Sequence, residues 1–250
     1  MSGGIDINIE GYITLVDAVR HWVLYRISIP SIQMKPILLL GGGGHAKVVL
    51  DTLLSSDQQV IGFLDQNPAI KELFGVKRLG DADPSRMADF APAEILLANG
   101  FGSTWMNSLR KDQFDLWKAH GYELLTLIHP ASMISANVVL GEGVQVMAGA
   151  IVQAGSTIEA NVLINTRAVV EHDCHLSSHV HVASGAILSG GVSAGTEAHI
   201  GPAVTVIQGV HIGHHSIVGA GSVVVRDVPE HMRAIGVPAH KNSTPRITSR

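Results

Sequence analysis

Between Ile134 and Val228 an aliphatic side chain returns every sixth residue without a slip, from Ile134, Leu140 and Val146 to Ile212, Val218 and Val224. Sixteen hexads follow one another on this phase. The residue four places on is small or β-branched in every hexad, Cys174 included. The residue three places on is Gly, Asn, Asp or His except at Arg167, Glu197 and Ala203, and those four types best tolerate positive φ. A helix would show a period of 3.6 and an ordinary strand a period of 2. A period of six with a corner-tolerant residue at fixed phase describes short strands joined by tight turns and wound into a solenoid.

The run resembles the hexapeptide-repeat left-handed parallel β-helix, which winds three hexads into each triangular coil. Sixteen hexads then imply about five coils, roughly 25 Å at the ~4.8 Å spacing of adjacent strands. The handedness rests on that resemblance, which also implies an acyltransferase that assembles as a trimer and binds acyl-CoA between prisms. Aromatic residues are only 4% of the chain, as a solenoid filled with Val, Ile, Ala and Gly requires. A net charge of −4 argues against a general surface for nucleic acid. Cys174 is the only cysteine, so no disulfide closes within the chain, and its inward phase makes it a core thiol.

Upstream of the repeat the pattern changes. Residues 1–33 form an N-terminal extension of unassigned role, without the layout of a signal peptide. Asp17, Arg20 and His21 interrupt any membrane span, so the chain is expected in the cytoplasm. From residue 34 an apolar run, Ile37 to Leu40, ends in Gly41-Gly42-Gly43-Gly44, followed by His45-Ala46-Lys47 and a helical pattern. Strand, glycine loop and helix make a phosphate-cradling layout. A second run, Val60 to Leu64, ends at Asp65, placed to accept hydrogen bonds from a ribose or a base edge. Ile95 to Ala98 is a third buried strand, with Asn99-Gly100-Phe101-Gly102 at its end, and a helix with Arg110, Phe114 and Trp117 leads to a last strand at Leu124–Ile128. Alternating βα units imply a small Rossmann-like parallel sheet over 34–130 that binds ligand at the strand C-terminal ends, and the solenoid domain follows over 131–241. Residues 242–250 are a polar tail.

The Gly41–Lys47 loop, Phe63-Leu64-Asp65, His129-Pro130-Ala131 and the stretch Asn165 to Cys174 occur here in one order. Together they resemble the sugar acyltransferases that include sialic acid O-acetyltransferases and the N-acetyltransferases acting on nucleotide-linked 4-amino sugars. The resemblance implies acetyl-CoA as co-substrate, a nucleotide-linked amino sugar as acceptor, and a homotrimer. It places Gly43, Gly44 and His45 at the substrate phosphates, Asp65 and Gln66 at the nucleoside, Gly100 at the same strand ends, and Asn165 at the acceptor. Gln66 stands where the family often has a second acid. His172 is the implied general base, oriented by Asp173 or Glu171. His181 is implied at the acetyl carbonyl, where negative charge develops. Gly190, Pro202, Ala220 and Lys241 match the acetyl-CoA channel.

His172 stands at an outward phase with Ala154 and Gly190 one coil away, so small residues leave room beside it. His181 lies half a coil on, on another face, so joint action by the two histidines calls for neighbouring subunits. His179, Glu197 and His215 stack at eighteen-residue spacing, as do His181 and His199. These read as stacked surface imidazoles, and no metal is expected. The function expected is N-acetylation of a nucleotide-linked 4-amino sugar for a surface glycan. The alternatives are O-acetylation of a sialic acid or related sugar, and a non-catalytic nucleotide-binding trimeric scaffold.

Overall fold

The computed structural model describes residues 35–56, 58–87, 90–103 and 109–242. The extension 1–33 and the tail beyond 242 lie outside the described residues. The small domain is a five-stranded sheet in the order β3-β4-β2-β1-β5, built from β1 (Ile37–Leu40), β2 (Val60–Leu64), β3 (Glu72–Leu73), β4 (Val76–Gly80) and β5 (Leu96–Asn99). The sheet is mixed, not wholly parallel: β1, β2, β4 and β5 run parallel, whereas β3 pairs antiparallel with β4. Phe74 and Gly75, at φ 47° and 84°, form a two-residue turn that folds β3 back on β4. Helix α1 (Gly44–Ser55) covers one side and α2 (Leu109–Ala119) the other.

The repeat forms a three-sided parallel solenoid. One face carries six strands from Met133–Ile134 to Val223–Val224, the second carries five from Val139–Leu140 to His211–Ile212, and the third carries eight. Each strand pairs with the one eighteen residues away, so equivalent hexad positions stack in columns. The third face outgrows the hexad count at both ends. It begins with β6 (Leu127–Ile128), which pairs with Gln145–Val146, and ends with Arg233–Ile235 and His240–Asn242. The expected last strand of the small domain therefore belongs to the solenoid, and only Leu124 bridges back to Leu97.

From Gly143 to Gly221 every corner residue of the hexads has φ between 52° and 78°. That includes Arg167, Glu197 and Ala203, at 58°, 58° and 55°. A non-glycine residue there costs roughly 1–2 kcal/mol. Each of the three is held by its own N–H, which donates to a carbonyl one coil back: Ala148 (2.9 Å), Ser178 (3.1 Å) and Ser184 (3.0 Å). The ladder imposes the corner even where the side chain opposes it.

The solenoid interior is a column of Val, Ile, Leu and Ala that includes Cys174, all almost fully buried. The two regions also share a core, because Met147 and Leu163, which point outward from the third face, pack with Ile37, Leu39, Val49, Leu53 and Phe63. A common apolar core fixes the glycine loop relative to that face.

Gly100 lies where β5 passes closest to β1 and α1: a Cβ there would collide with the Leu40 carbonyl and lie 2.8 Å from Ala46 Cβ. Gly100→Ala is expected to destabilise the fold by about 1–3 kcal/mol. In Gly62→Ala the nearest atoms the new Cβ meets belong to the half-exposed Leu79 side chain, which can move, so it should cost under ~1 kcal/mol. Equal urea midpoints for the two variants would contradict this packing.

Candidate active site

The chain turns sharply at the end of β1. The Gly41 N–H donates to the Leu64 carbonyl at 2.7 Å, and the Gly42 N–H donates to Asp65 Oδ2 at 2.6 Å. Asp65 Oδ1 accepts from the Asn67 N–H at 2.7 Å. The carboxylate thus shapes the loop that ends at Gly43. Helix α1 then starts with no side-chain cap and no acid in its first turn, and a Cβ on Gly43 or Gly44 would meet open space. Its first N–H groups have no intrahelical partner and favour an anion.

Gln66 follows Asp65, and its Nε2 donates to the Ala82 carbonyl at 3.4 Å. It lines a polar groove with Asp81, Asp83, Gln113 and His120. Arg78 supports that wall, donating to the Asp65 carbonyl (2.8 Å) and to Asp81 (2.5 Å). Gly100 is buried behind the loop, where it serves close packing.

The ring of His45 turns from the loop toward the solenoid, 2.9 Å from Gln145 Oε1. Gln145 donates its amide to the Asn99 carbonyl (2.8 Å), so Oε1 is the acceptor and His45 Nε2 carries the proton. Burial, and then the Arg110 charge, lower the His45 pKa to about 4 against the opposing effect of its hydrogen bond to Gln145. A neutral His45 offers an unprotonated Nδ1, so donors for an anion at this loop are backbone N–H groups.

His181 sits on the third face, paired with Leu163 on one side and His199 on the other. Expected as a surface imidazole, it is only 7% exposed. The small domain covers it: Nδ1 lies 2.8 Å from Ser103 Oγ and 3.1 Å from the Ser103 carbonyl. Asn165 settles its tautomer. The Thr166 N–H donates to Asn165 Oδ1 at 2.8 Å, which leaves Asn165 Nδ2 to donate to His181 Nε2 at 3.3 Å. The His181 proton is therefore on Nδ1. Burial first, then His199, Arg110 and His45, hold its pKa well below the ordinary value. His199 meets His181 edge to face with ring centroids 4.9 Å apart, its Nδ1 is buried without a partner, and burial lowers its pKa to about 4.

His172 and Asp173 occupy the corner between the first and second faces. His172 Nδ1 lies 2.8 Å from Asp173 Oδ2, both side chains are exposed, and Asp173 holds φ 59°. The ring lies across Gly190 one coil on, where a Cβ would collide with His172 Nε2. Asp173 likewise lies across Gly155, where a Cβ would collide with Oδ1. Glu171 is half-buried and makes no hydrogen bond to the imidazole, so Asp173 is the residue that orients it. Pro202 and Ala220 are exposed and stacked at the corner between the third and first faces, joined by a 2.9 Å bond from the Gly221 N–H to the Pro202 carbonyl. Lys241 is in the last strand, and its side chain lies outside what is described. Within one chain, His45, His181 and Asn165 come together, while His172 stands on a different corner. Among the described residues no group of three His, Cys, Asp or Glu side chains is placed to hold a metal ion, and no helix is long and apolar enough to cross a membrane.

The PglD N-terminal domain family matches residues 36–114. PerB from Caulobacter crescentus, solved with CoA and GDP-perosamine, is 41% identical, with a TM-score of 0.74 over 83% of this chain and 97% of that one. The chain belongs to the amino-sugar N-acetyltransferase family. The acetyltransferase domain of PglB from Neisseria gonorrhoeae, solved with acetyl coenzyme A, is 32% identical, with a TM-score of 0.77 over 84% of this chain and all of that one. The UDP-N-acetylbacillosamine N-acetyltransferase of Bacillus subtilis is 38% identical over 118 residues, 46% of this chain and 52% of that protein, so this match spans about half of the curated relative. The solenoid is the left-handed β-helix of these acetyltransferases.

Sequence reasoning about this family member missed Ser103, Gln145 and the site-facing role of Arg110. One signal was there: Arg110 shares helical spacing with Phe114 and Trp117, on the buried side of α2.

His45 and His199 have folded pKa values of about 4, below the ordinary 6.5, so the native state binds fewer protons than the unfolded chain. Their contribution is fully present above pH 6.5 and is lost as the pH falls toward about 4. The urea midpoint should drop between pH 7.5 and pH 5, and a His45→Gln/His199→Gln double variant should show a smaller drop. An identical drop in both proteins would contradict the assignment.

Proposed function

We propose that the chain transfers the acetyl group of acetyl-CoA to the 4-amino group of a nucleotide-linked amino sugar, in the biosynthesis of a surface glycan or of protein glycosylation. The observation that carries this reading is the His172 corner. Asp173 takes the Nδ1–H, Nε2 is left with its lone pair, and Gly190 removes the side chain that would otherwise collide with it. An exposed imidazole oriented in this way is suited to general base work near neutral pH.

In the proposed reaction the sugar amine attacks the thioester carbonyl while His172 Nε2 takes its proton. The tetrahedral intermediate collapses with loss of the CoA thiolate, which receives that proton from the imidazolium. Asn165 uses one amide N–H on His181, so its second is available to the developing oxyanion beside the His181 ring. Transfer is direct. The Cys174 thiol is buried, donates to the Ser189 carbonyl at 3.3 Å, and has its pKa raised by burial, so it is no nucleophile. The backbone N–H groups at Gly43, Gly44 and His45 are assigned to the diphosphate, and Asp65 with Gln66 to the nucleoside. Gly190, Pro202, Ala220 and Lys241 are assigned to the CoA groove. PerB was solved with GDP-perosamine and the PglB domain with acetyl coenzyme A, and both support this pairing of substrates.

The proposed assembly is a homotrimer. The first face carries the outward column Met133, Ile151, Val169, Ile187, Thr205 and Val223, with Met133 65% and Ile187 42% exposed. Burying that column around a threefold axis sets the His172 corner of one copy beside the His181 face of the next. The residues beside the acetyl carbonyl and the base then come from different chains.

Purified protein with acetyl-CoA and a panel of UDP-, GDP- and dTDP-linked 4-amino sugars, plus free sialic acid, should release thiol with one amino-sugar nucleotide. Release with sialic acid alone would move the chain to O-acetylation, and silence across the panel despite CoA binding would favour the scaffold. His172→Ala should lower kcat by roughly 100-fold to 10,000-fold with CoA binding intact. Gly190→Ala, at an ordinary φ, should push the ring aside and lower turnover by roughly 100-fold. Wild-type turnover in either variant would overturn the assignment.

A further inference from the structure

Arg110 is 3% exposed and lies where α2 meets the solenoid. Its Nη1 donates to the Phe101 carbonyl (3.1 Å), the Asn99 carbonyl (3.4 Å) and Gln145 Oε1 (3.1 Å), and its Nε donates to the Asn161 carbonyl (3.4 Å). All four acceptors are neutral. Nη2 is buried with no partner, and no carboxylate pairs with the guanidinium among the described residues. Burial lowers the pKa to about 9, so the group stays charged at neutral pH.

A buried cation without a counter-charge is expensive, and packing alone does not call for one, since Leu or Met would fill the space at lower cost. A guanidinium does something they cannot. Its planar fork engages acceptors from three separate stretches at once: the end of β5 with its loop, the Gln145 strand, and the Asn161 corner.

Two of these links reach the candidate site. Gln145 Oε1, which takes an Arg110 hydrogen bond, also takes the Nε2–H of His45. The loop held at Asn99 and Phe101 continues to Ser103, which receives the Nδ1–H of His181. Asn99 closes the network, donating to the Arg110 carbonyl (3.1 Å) and to Asn161 Oδ1 (3.3 Å) and accepting from the Phe101 N–H (3.1 Å).

We propose that Arg110 is a positioning residue that clamps loop 99–103 and Gln145 in one frame, fixing the His45 ring at the glycine loop and the His181 ring on the solenoid. The acceptor and the acetyl group are thereby presented at a set distance. The proposal rests on the acetyl-transfer reading for its kinetic consequence only. The groups facing His181 are His199 on the next strand, Arg110 on α2, His45 on α1, and the uncharged Ser103 and Asn165.

The test compares wild type, Arg110→Met and Arg110→Lys in the full chain, by steady-state kinetics and by imidazole ¹⁵N NMR of His181. In Arg110→Met, kcat should fall at least 10-fold with KM for acetyl-CoA changed less than 3-fold, and the His181 signals should lose the single Nδ1–H tautomer. Arg110→Lys should not restore either readout, because one ammonium cannot span the four acceptors. A folded Arg110→Met protein with wild-type kcat and an unchanged His181 spectrum would overturn the proposal. Should Arg110→Met fail to fold, Gln145→Met removes the side chain that links Arg110 to His45: a 3-fold to 10-fold fall in kcat with loss of the single Nε2–H tautomer in the His45 imidazole ¹⁵N signals supports the clamp, and no change in either refutes it. The NMR readout needs no turnover. A wild type inactive on every acceptor but with an Arg110-dependent His181 tautomer would retire the acetyl-transfer reading and leave the clamp standing.

Discussion

The eighteen-residue register of the parallel ladder governs the molecule. Each strand hydrogen-bonds to its equivalent one coil away, so any residue's neighbours along the column are set by adding or subtracting eighteen. The ladder places Gly190 against His172, Gly155 against Asp173 and His199 against His181. It also accounts for positive φ at Arg167, Glu197 and Ala203, where the corner hydrogen bonds override an unfavourable side chain. A one-residue insertion within the repeat would rotate every later column to the wrong phase.

The small domain is tied to this scaffold by two layers of different character. The outer tie is apolar: Met147 and Leu163 enter the core of the sheet and α1. The inner tie is polar and buried, built from Gln145, Asn99, Asn161 and Arg110, with nearly every donor and acceptor satisfied. Apolar burial is tolerant of small displacements, whereas a hydrogen-bonded fork is not. The polar tie is the part that sets ring orientations, while burial first, with the Arg110 charge adding to it, keeps His45 and His181 neutral at neutral pH.

The repeat made the solenoid legible, because an aliphatic residue at one phase and a mostly turn-tolerant residue at another mark fourteen successive corners from Gly143 to Gly221. The glycine loop, β2 and the His172 corner were equally readable, since each is a local run of sequence. Three features were not. The β3–β4 hairpin turns on Phe74, which no turn preference nominates. Leu127–Ile128 reads as a sheet strand, yet its partner is chosen by the free edge of the solenoid at Gln145–Val146. The buried position of His181 and the Arg110 network depend on loop 99–103 folding onto a strand about eighty residues later, a tertiary fact with no periodic trace. Gly100 shows the same limit, since its place at a strand end suggests ligand contact while its surroundings show backbone packing.

The proposed site is completed between two copies, with the proposed base on one chain and the proposed acetyl-side groups on the next. The most direct measurement is turnover of mixed trimers formed by co-expressing differently tagged His172→Ala and His181→Asn chains and purified through both tags. Each mixed trimer then holds one intact site, so about one third of wild-type turnover is expected from two inactive parents. Mixed trimers as inactive as their parents would place both histidines in the same chain's site and contradict the account.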